Sequence, residues 1–359
     1  MDIPQDFNHM LHFLRSRELA NTGLSGGTMV SVGASDLGYF HWIDENLGRP
    51  DRHIGLEFYR PRPEGLPDNV VWIANTAGNM CDVESGSADL VFAGQTIEHL
   101  WAEELAGFFV ESARVLKQGG RLVFDSPTRT VVDRIRWNHP EHTVELDPAE
   151  ARHLAELAGF TVTRCVGHWL CYDNGGYLEL TDITSEGEWN AERRVTEGRD
   201  RPDESFSWWI EAERSNRRCD VVAVYNYARQ LSQDHFPGRV ARMMQTRVPD
   251  GNHAQAAAGQ EAWLVFGPNA PLPPGDWLIR FGLYPYVAEL SPGRAEVVEC
   301  ATGRVLAEVH LPSAHGAPWI DVPISLDATQ FGVEFRLYSN GAAPLRSTLG
   351  VEILRRGIA

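Results

Sequence analysis

Between Met29 and about Arg164 short apolar runs alternate with stretches of helical spacing, and this alternation restricts the fold more than any other feature of the chain. The runs are Met29–Val32, His53–Leu56, Val70–Ile73, Asp89–Phe92 and Arg121–Phe124. Strand-length runs separated by helices imply a parallel sheet with helices covering it, an α/β doubly wound architecture. The intervening helices carry their own punctuation. Asp6 to Leu19 has Phe7, Met10, Leu11, Phe13 and Leu14 at helical spacing. Glu103 to Lys117 aligns Leu105, Phe108, Phe109, Ser112, Val115 and Leu116 on one face, with Gly119–Gly120 as its expected stop. Pro148 to Ala158 opens on Asp147 as N-cap with Pro148 at the first position, and Gly159 follows its end.

A helix expected from Val221 to Met244 ends this regime, and the polar, Gly- and Ala-rich stretch Thr246 to Gly259 reads as a linker. Beyond it come only short alternating strands: Trp263–Phe266, Trp277–Leu283, Glu296–Glu299, Val305–His310, Gly332–Tyr338 and Gly350–Leu354. Turn signals such as Pro273-Pro274-Gly275 and Ser339-Asn340-Gly341 separate them, so an all-β sandwich of jelly-roll type is expected. With 359 residues the chain exceeds one ordinary core, and the expected domains are 1–245 and 246–359. Within the first, Trp208-Trp209 reads as a late strand and the charged stretch Glu186 to Glu204 as an exposed loop.

The formal net charge of -17 argues against a broad phosphate-contacting surface, so nucleic acid is not an expected partner. No apolar stretch is long enough to span a membrane, and the N-terminus lacks the basic start and apolar core of a signal peptide. The five cysteines, Cys81, Cys165, Cys171, Cys219 and Cys300, are scattered without a C-x-x-C pair. They read as reduced thiols of a cytoplasmic protein, with no structural metal.

The first strand ends in Val30-Ser31-Val32-Gly33-Ala34-Ser35-Asp36-Leu37-Gly38. Glycine in such a turn lets backbone approach a ligand, and the helix that follows offers free N–H groups. Glu57 ends the second strand, where an acidic side chain suits the two hydroxyls of a ribose. Further along, Gly86-Ser87-Ala88-Asp89-Leu90-Val91-Phe92-Ala93-Gly94-Gln95-Thr96-Ile97-Glu98-His99-Leu100 resembles the fourth-strand motif of class I S-adenosylmethionine-dependent methyltransferases of the small-molecule and ubiquinone type. Gly119-Gly120 with Leu122-Val123-Phe124, then His142 and the Leu154–Phe160 stretch, follow in that family's order, so the resemblance covers about Gly26 to Val166.

The resemblance implies a Rossmann-like sheet and S-adenosyl-L-methionine as cofactor. Carried over by position, Gly33, Ala34, Ser35 and Gly38 line its methionine portion, Glu57 binds the ribose, Asn75 or Thr76 borders the adenine, and Gln95, Thr96 and Ile97 border the sulfonium. Two departures stand out: Ser31 replaces the family's usual Asp, and the glycine turn is altered and one residue longer.

Methyl transfer from a sulfonium is an in-line displacement, in which the protein chiefly aligns the reactants and excludes water. A hydroxyl acceptor also needs a base, and His is suited to that near neutral pH. His142 is the first choice, with His139 and His99 as alternatives; Asp125, just after the fifth strand, is a further one. A helix cap or packing under Trp101 is the plainer role for His99, and no compact carboxylate cluster calls for a metal. Trp263, Trp277, Tyr284, Tyr286, Trp319 and Tyr338 are candidate sugar-stacking aromatics, and Phe331-Gly332-Val333-Glu334-Phe335-Arg336-Leu337-Tyr338 with Gly275-Asp276-Trp277 resembles the carbohydrate-binding sandwiches of bacterial polysaccharide enzymes. Three readings compete: O-methylation of a sugar hydroxyl in a polysaccharide, glycolipid or precursor; O-methylation of a natural product beside a structural or dimerising β domain; and a non-catalytic glycan-binding protein with a decayed methyltransferase fold.

Overall fold

The computed structural model describes residues 6–24, 26–58, 60–135, 137, 139, 142–178, 180, 188–231, 244–251, 253–272, 274–328 and 330–355. The chain divides into two compact units, one of Met1–His139 with Glu145–Ala228 and one of Pro140–Val144 with Arg229–Ala359.

The first unit is built on a seven-stranded sheet: β1 (Thr28–Val32), β2 (Arg52–Glu57), β3 (Val70–Ala74), β4 (Ala88–Gly94), β5 (Leu116–Pro127), β6 (Phe160–Leu170) and β9 (Ser205–Arg214). Their order is β3-β2-β1-β4-β5-β9-β6. The first five pair in parallel, whereas β9 runs antiparallel to both β5 and β6. Chain progress therefore reverses direction across the sheet between β1 and β4, and the carboxyl ends of those strands form the crevice where open α/β sheets take ligands. Trp208 and Trp209 lie in β9, as the sequence predicts, and both are fully buried.

The helices are α1 (Phe7–Thr22), α2 (Leu37–Asn46), α3 (Ala102–Val115), α4 (Arg129–Arg134), α5 (Pro148–Leu157) and α6 (Glu188–Gly198). Asp6 caps α1 by accepting from His9 N at 3.0 Å. The capping box of α5 is complete, with Asp147 and Glu150 exchanging side-chain and backbone bonds. Leu19, Ile43 and Leu47 of the first two helices share a core with Met29, Leu90, Phe92, Val123 and Trp209 of the sheet. Phe108 and Phe109 of α3 meet Phe124 edge-on.

Three expectations about local structure need correction. Helix α3 ends at Val115, because Leu116 already has extended backbone and pairs with Ala88; Gly119 and Gly120 therefore lie within β5 rather than at a helix stop. The expected loop after Glu186 is helical from Glu188, and it buries Ala191, Val195 and the stem of Arg194, so its charges mask an amphipathic face. The expected linker contains β10 (Pro249–Asp250) and β11 (His253–Ala256), which add to a sheet. The helix beginning at residue 221 is seen to residue 231; 181–187 and 232–243 lie outside the described residues.

The second unit is antiparallel. One sheet has the order β10-β11-β21-β14-β19, with β14 (Gly275–Leu283), β19 (Trp319–Leu326) and β21 (Leu345–Arg355). A second has the order β12-β20-β16-β17, formed by β12 (Glu261–Val265), β16 (Gly293–Glu299), β17 (Arg304–His310) and β20 (Gln330–Asn340), with Pro268–Leu272 also paired to β20, and Tyr286–Val287 with Ala314–His315 make a small two-stranded sheet. Alternate residues of each are buried, Trp277, Ile279, Phe281 and Leu283 on β14 and Val333, Phe335 and Leu337 on β20. Two sheets with one apolar face each are the ingredients of a sandwich.

Candidate active site

The expected cofactor residues fall at the carboxyl ends of β1, β2, β3 and β4. Gly33, just past β1, has φ +76°, and its N–H donates to Leu56 O at 2.9 Å. A Cβ at Gly33 would stand 2.7 Å from Thr96 Oγ1, so the turns after β1 and β4 touch only because this residue is glycine. Thr96 Oγ1 is hydrogen-bonded to Val32 O at 3.3 Å and Gly94 O at 3.1 Å, which ties the two strand ends together. Ala34 is fully buried, Ser35 is half-buried, and Gly38 is exposed in the first turn of α2, where Asp36 caps the helix by accepting from Tyr39 N at 3.0 Å.

Glu57 is the last residue of β2 and is 6% exposed; one carboxylate oxygen accepts from Arg60 N at 3.2 Å. Beyond β3, Thr76 is buried and its N–H is taken by the Asn75 side chain at 2.9 Å. Thr76 Oγ1 is buried with no hydrogen-bond partner among the described residues, a polar atom fit to meet a ligand. A glycine turn at β1, a carboxylate at β2 and a buried hydroxyl past β3 thus lie along the strand ends.

The family comparison agrees with this geometry. Residues 58–124 match the family model described as a methyltransferase domain. The first unit has the Rossmann-like sheet of class I S-adenosylmethionine-dependent methyltransferases, and part of it matches that family's model. A protein of Mycolicibacterium smegmatis bearing the description "Probable S-adenosylmethionine-dependent methyltransferase" is 38% identical over 133 residues, which is 36% of this chain. That stretch spans 50% of the relative's own length. Among solved structures, a SAM-dependent methyltransferase from Archaeoglobus fulgidus is 16% identical with a TM-score of 0.39, covering 58% of this chain and 100% of that one. Geranyl diphosphate C-methyltransferase from Streptomyces coelicolor is 17% identical with a TM-score of 0.40, covering 57% and 80%.

Where the methyltransferase domain departs from its family, at Ser31, a neutral pair fills the position. Ser31 is fully buried, and its Oγ lies 2.7 Å from His53 Nε2. Burial lowers His53 to about 4, so the imidazole is neutral near pH 7 and shares a hydrogen bond with the hydroxyl. The two residues are diagonal neighbours in the β1–β2 register, in which Met29 faces His53 and Ser31 faces Gly55.

A second buried carboxylate, besides Glu57, comes from β5. Asp125 is fully buried, accepts from Gln95 Nε2 at 2.7 Å and pairs with Arg15 Nε of α1 at 2.9 Å. Burial raises its pKa against the opposing pull of Arg15 and Gln95. The Arg15 guanidinium also stacks over Trp42 of α2, 5.3 Å from the ring centroid. Neither Arg15 nor His53 figures among the expected site residues. Their signal is a charged residue next to the apolar stripe of α1, and a histidine inside an apolar strand beside the unusual Ser31.

The structure brings all three candidate bases together: Glu98, His99 and His142 offer ligand atoms within 4.8 Å of one another, and His139 stands beside His99. The His99 and His139 rings stand perpendicular with centroids 5.7 Å apart, and both residues are half-buried. His142 is buried and belongs to the Pro140–Val144 stretch that groups with the second unit. No helix among the described residues is long and apolar enough to cross a membrane. All five cysteines are free, and burial raises the pKa of Cys165, which fits the packing role expected for it.

Proposed function

We propose that this chain is an S-adenosylmethionine-dependent O-methyltransferase with a catalytic domain over 1–245 and an acceptor-holding β domain over 246–359. The observation that carries the cofactor half is the Gly33–Thr96 contact, which ties the ends of β1 and β4 together at the sheet's crevice, with Glu57 ending β2 and Thr76 following β3. When bound, the cofactor supplies an electrophilic methyl group. The chain's own part is positional: Glu57 receives the ribose hydroxyls, Asn75 and Thr76 border the base, and the backbone of Gly33, Ala34, Ser35 and Gly38 follows the methionine portion. Gln95 and Thr96 close the corner on the reacting side. Calorimetric titration with S-adenosylhomocysteine tests this assignment. Glu57→Ala is expected to weaken binding by roughly 1.5–3 kcal/mol, about 10- to 100-fold, since charged hydrogen bonds are lost; unchanged affinity removes Glu57 from the site.

For the acceptor we infer a sugar hydroxyl of a polysaccharide, glycolipid or precursor. The support is how burial sorts the six candidate aromatics of the β domain. Trp277 is core, and Trp263 and Tyr338 are overlaid by the guanidinium of Arg294, with Arg336 also over Trp263. Trp319 and Tyr284 are 43% and 38% exposed, each with one face under a guanidinium, of Arg280 and Arg346 respectively, so only the opposite face is open, while Tyr286 stacks on His315. Trp319 and Tyr284 share the outer face of the β14–β19 pair around Gly282, which pairs directly with Trp319. Exposed aromatics suit a sugar ring's apolar side. Retention of the full chain on a glycan array, lost in Trp319→Ala, is the expected result; equal retention of the variant moves the acceptor elsewhere.

The proton of a hydroxyl acceptor goes to His142, His139 or His99 in this reading. Alanine replacement of the true base is expected to lower kcat by roughly 100-fold or more with S-adenosylhomocysteine affinity unchanged. Full turnover in all three variants sinks the histidine assignment.

A further inference from the structure

The corner where β4 ends is held from outside by one side chain. Gln95, the first residue past β4, has φ +50°, a left-handed conformation that side-chain-bearing residues rarely adopt. Two bonds to the same residue keep it there: Gln95 N donates to Asp125 O at 3.2 Å, and Gln95 Nε2 donates to Asp125 Oδ2 at 2.7 Å. A non-glycine residue held in the left-handed region by its surroundings is a feature that clusters at ligand sites. On the near side, Gly94 has no room for a Cβ, because the Arg15 guanidinium occupies that space. Arg15 is held by the same Asp125 oxygen, at 2.9 Å. On the far side, Thr96 is bonded to Val32 O and fills the space over Gly33. The stretch Gly94–Thr96 is thus pinned between Asp125 and the β1 turn, with no freedom to relax unless one of the two lets go.

We propose that Asp125 is a positioning residue for the methyl donor: by holding Gln95 in its left-handed conformation it fixes the Gly94–Thr96 turn against Gly33. The inference rests on the cofactor reading above, which puts the sulfonium end of S-adenosylmethionine at this corner. Its role is to take over, from the fifth strand, the organising function that the family assigns to a carboxylate at the position of Ser31. Asp125 touches no reacting atom in this account. It acts through Gln95, and its pairing with Arg15 serves to keep a buried carboxylate compensated.

Glycine adopts positive φ without help, so the role can be separated from a general structural one. Four proteins are compared by S-adenosylhomocysteine titration and by thermal unfolding: wild type, Asp125→Ala, Gln95→Gly, and the double variant. Asp125→Ala is expected to weaken binding at least tenfold, Gln95→Gly to bind more tightly than Asp125→Ala although it loses the Gln95 side chain, and the double variant to match Gln95→Gly rather than Asp125→Ala. Glycine at 95 cannot replace the partner that Arg15 loses, so rescue isolates the turn from the ion pair. Asp125→Asn keeps an acceptor oxygen of the same size for Gln95, and serves if the alanine variant does not fold; it is expected to bind within threefold of wild type. A double variant as weak as Asp125→Ala, or an asparagine variant that folds but binds as poorly as alanine, overturns the proposal. Wild-type protein that binds no S-adenosylhomocysteine overturns the cofactor reading itself, whereas wild-type binding without rescue overturns only the role of Asp125.

Discussion

Glu18→Gln is expected to lower the stability of the methyltransferase unit by about 3–5 kcal/mol, the range for breaking a buried ion pair from one side. Glu18 is fully buried on α1, four residues after Leu14 and eight after Met10, in the stripe that faces the sheet. Its carboxylate receives hydrogen bonds from Arg164 of β6 and from Arg199, and Arg17 Nε lies 3.5 Å away. Glu211 of β9 shares Arg164 and accepts from Thr22 Oγ1 at 3.0 Å and Trp209 Nε1 at 3.2 Å. Glutamine keeps the shape and one acceptor, but it leaves three guanidiniums facing a single carboxylate. Because α1 also delivers Arg15 to Asp125, the loss reaches the site's rim. Urea denaturation is the measurement, and a midpoint equal to wild type would show that the cluster contributes nothing net.

The pH dependence of the same variant has a definite sign. Burial opposes the charged form of Glu18, but the bonds from Arg164 and Arg199 outweigh it and its pKa lies below the ordinary 4.5. A depressed folded-state pKa stabilises above the unfolded value and is lost as pH falls through the folded one. His168 adds in the same direction: burial lowers it to about 3, so unfolding takes up its proton once pH drops below 6.5. Glu18 and His168 are therefore expected to withdraw stability from pH 6.5 downward, buried Glu98 and Asp125 to act in the opposite sense because burial raises their pKa values, and the Glu18→Gln curve to lack Glu18's part of the fall below 4.5.

Much of this architecture could be read from residue pattern because the governing physics is local. Apolar runs bounded by turn residues marked β1 to β5, and the Asp147-Pro148 start and Gly159 end marked α5, since caps and glycine turns are decided within a few residues. What escaped was decided by tertiary partners. Gly119-Gly120 looks like a helix stop, yet Leu116 finds a strand partner in Ala88 and the helix gives way early. Glu188–Gly198 looks like a solvated loop, since Arg193, Arg194 and Arg199 give it polarity; two of these are spent on Asp173 and Glu18 rather than on water. His253–Ala256 looks like linker because small residues fit both a linker and an edge position beside β21. At the site, Gly33, Glu57 and Thr96 follow from strand-end position, whereas Arg15 and Asp125 are far apart in sequence and become partners only when α1 lies on the sheet.

Gly33→Ala is expected to lower stability by a left-handed backbone cost of about 1–2 kcal/mol plus an overpacking cost of about 1–3 kcal/mol, and to weaken S-adenosylhomocysteine binding as the corner is displaced. The two costs have separate structural origins, φ +76° at Gly33 and a Cβ 2.7 Å from Thr96 Oγ1 and 3.1 Å from its Cγ2. Thr96 cannot swing away cheaply, because β-branching restricts its rotamer and its hydroxyl is committed to Val32 O and Gly94 O. The turn itself must open, which pulls Gly33 N from Leu56 O and shifts the end of β2 that carries Glu57. Gly65 supplies the control, since it has φ +72° with nothing within 4 Å of a Cβ. Gly65→Ala therefore carries the backbone cost alone, and should lower stability slightly while leaving affinity intact. Adding Thr96→Ala to Gly33→Ala removes the collision and should recover affinity in part, leaving the backbone cost behind. Affinity in Gly33→Ala equal to that in Gly65→Ala would mean that the corner between β1 and β4 does not hold the cofactor.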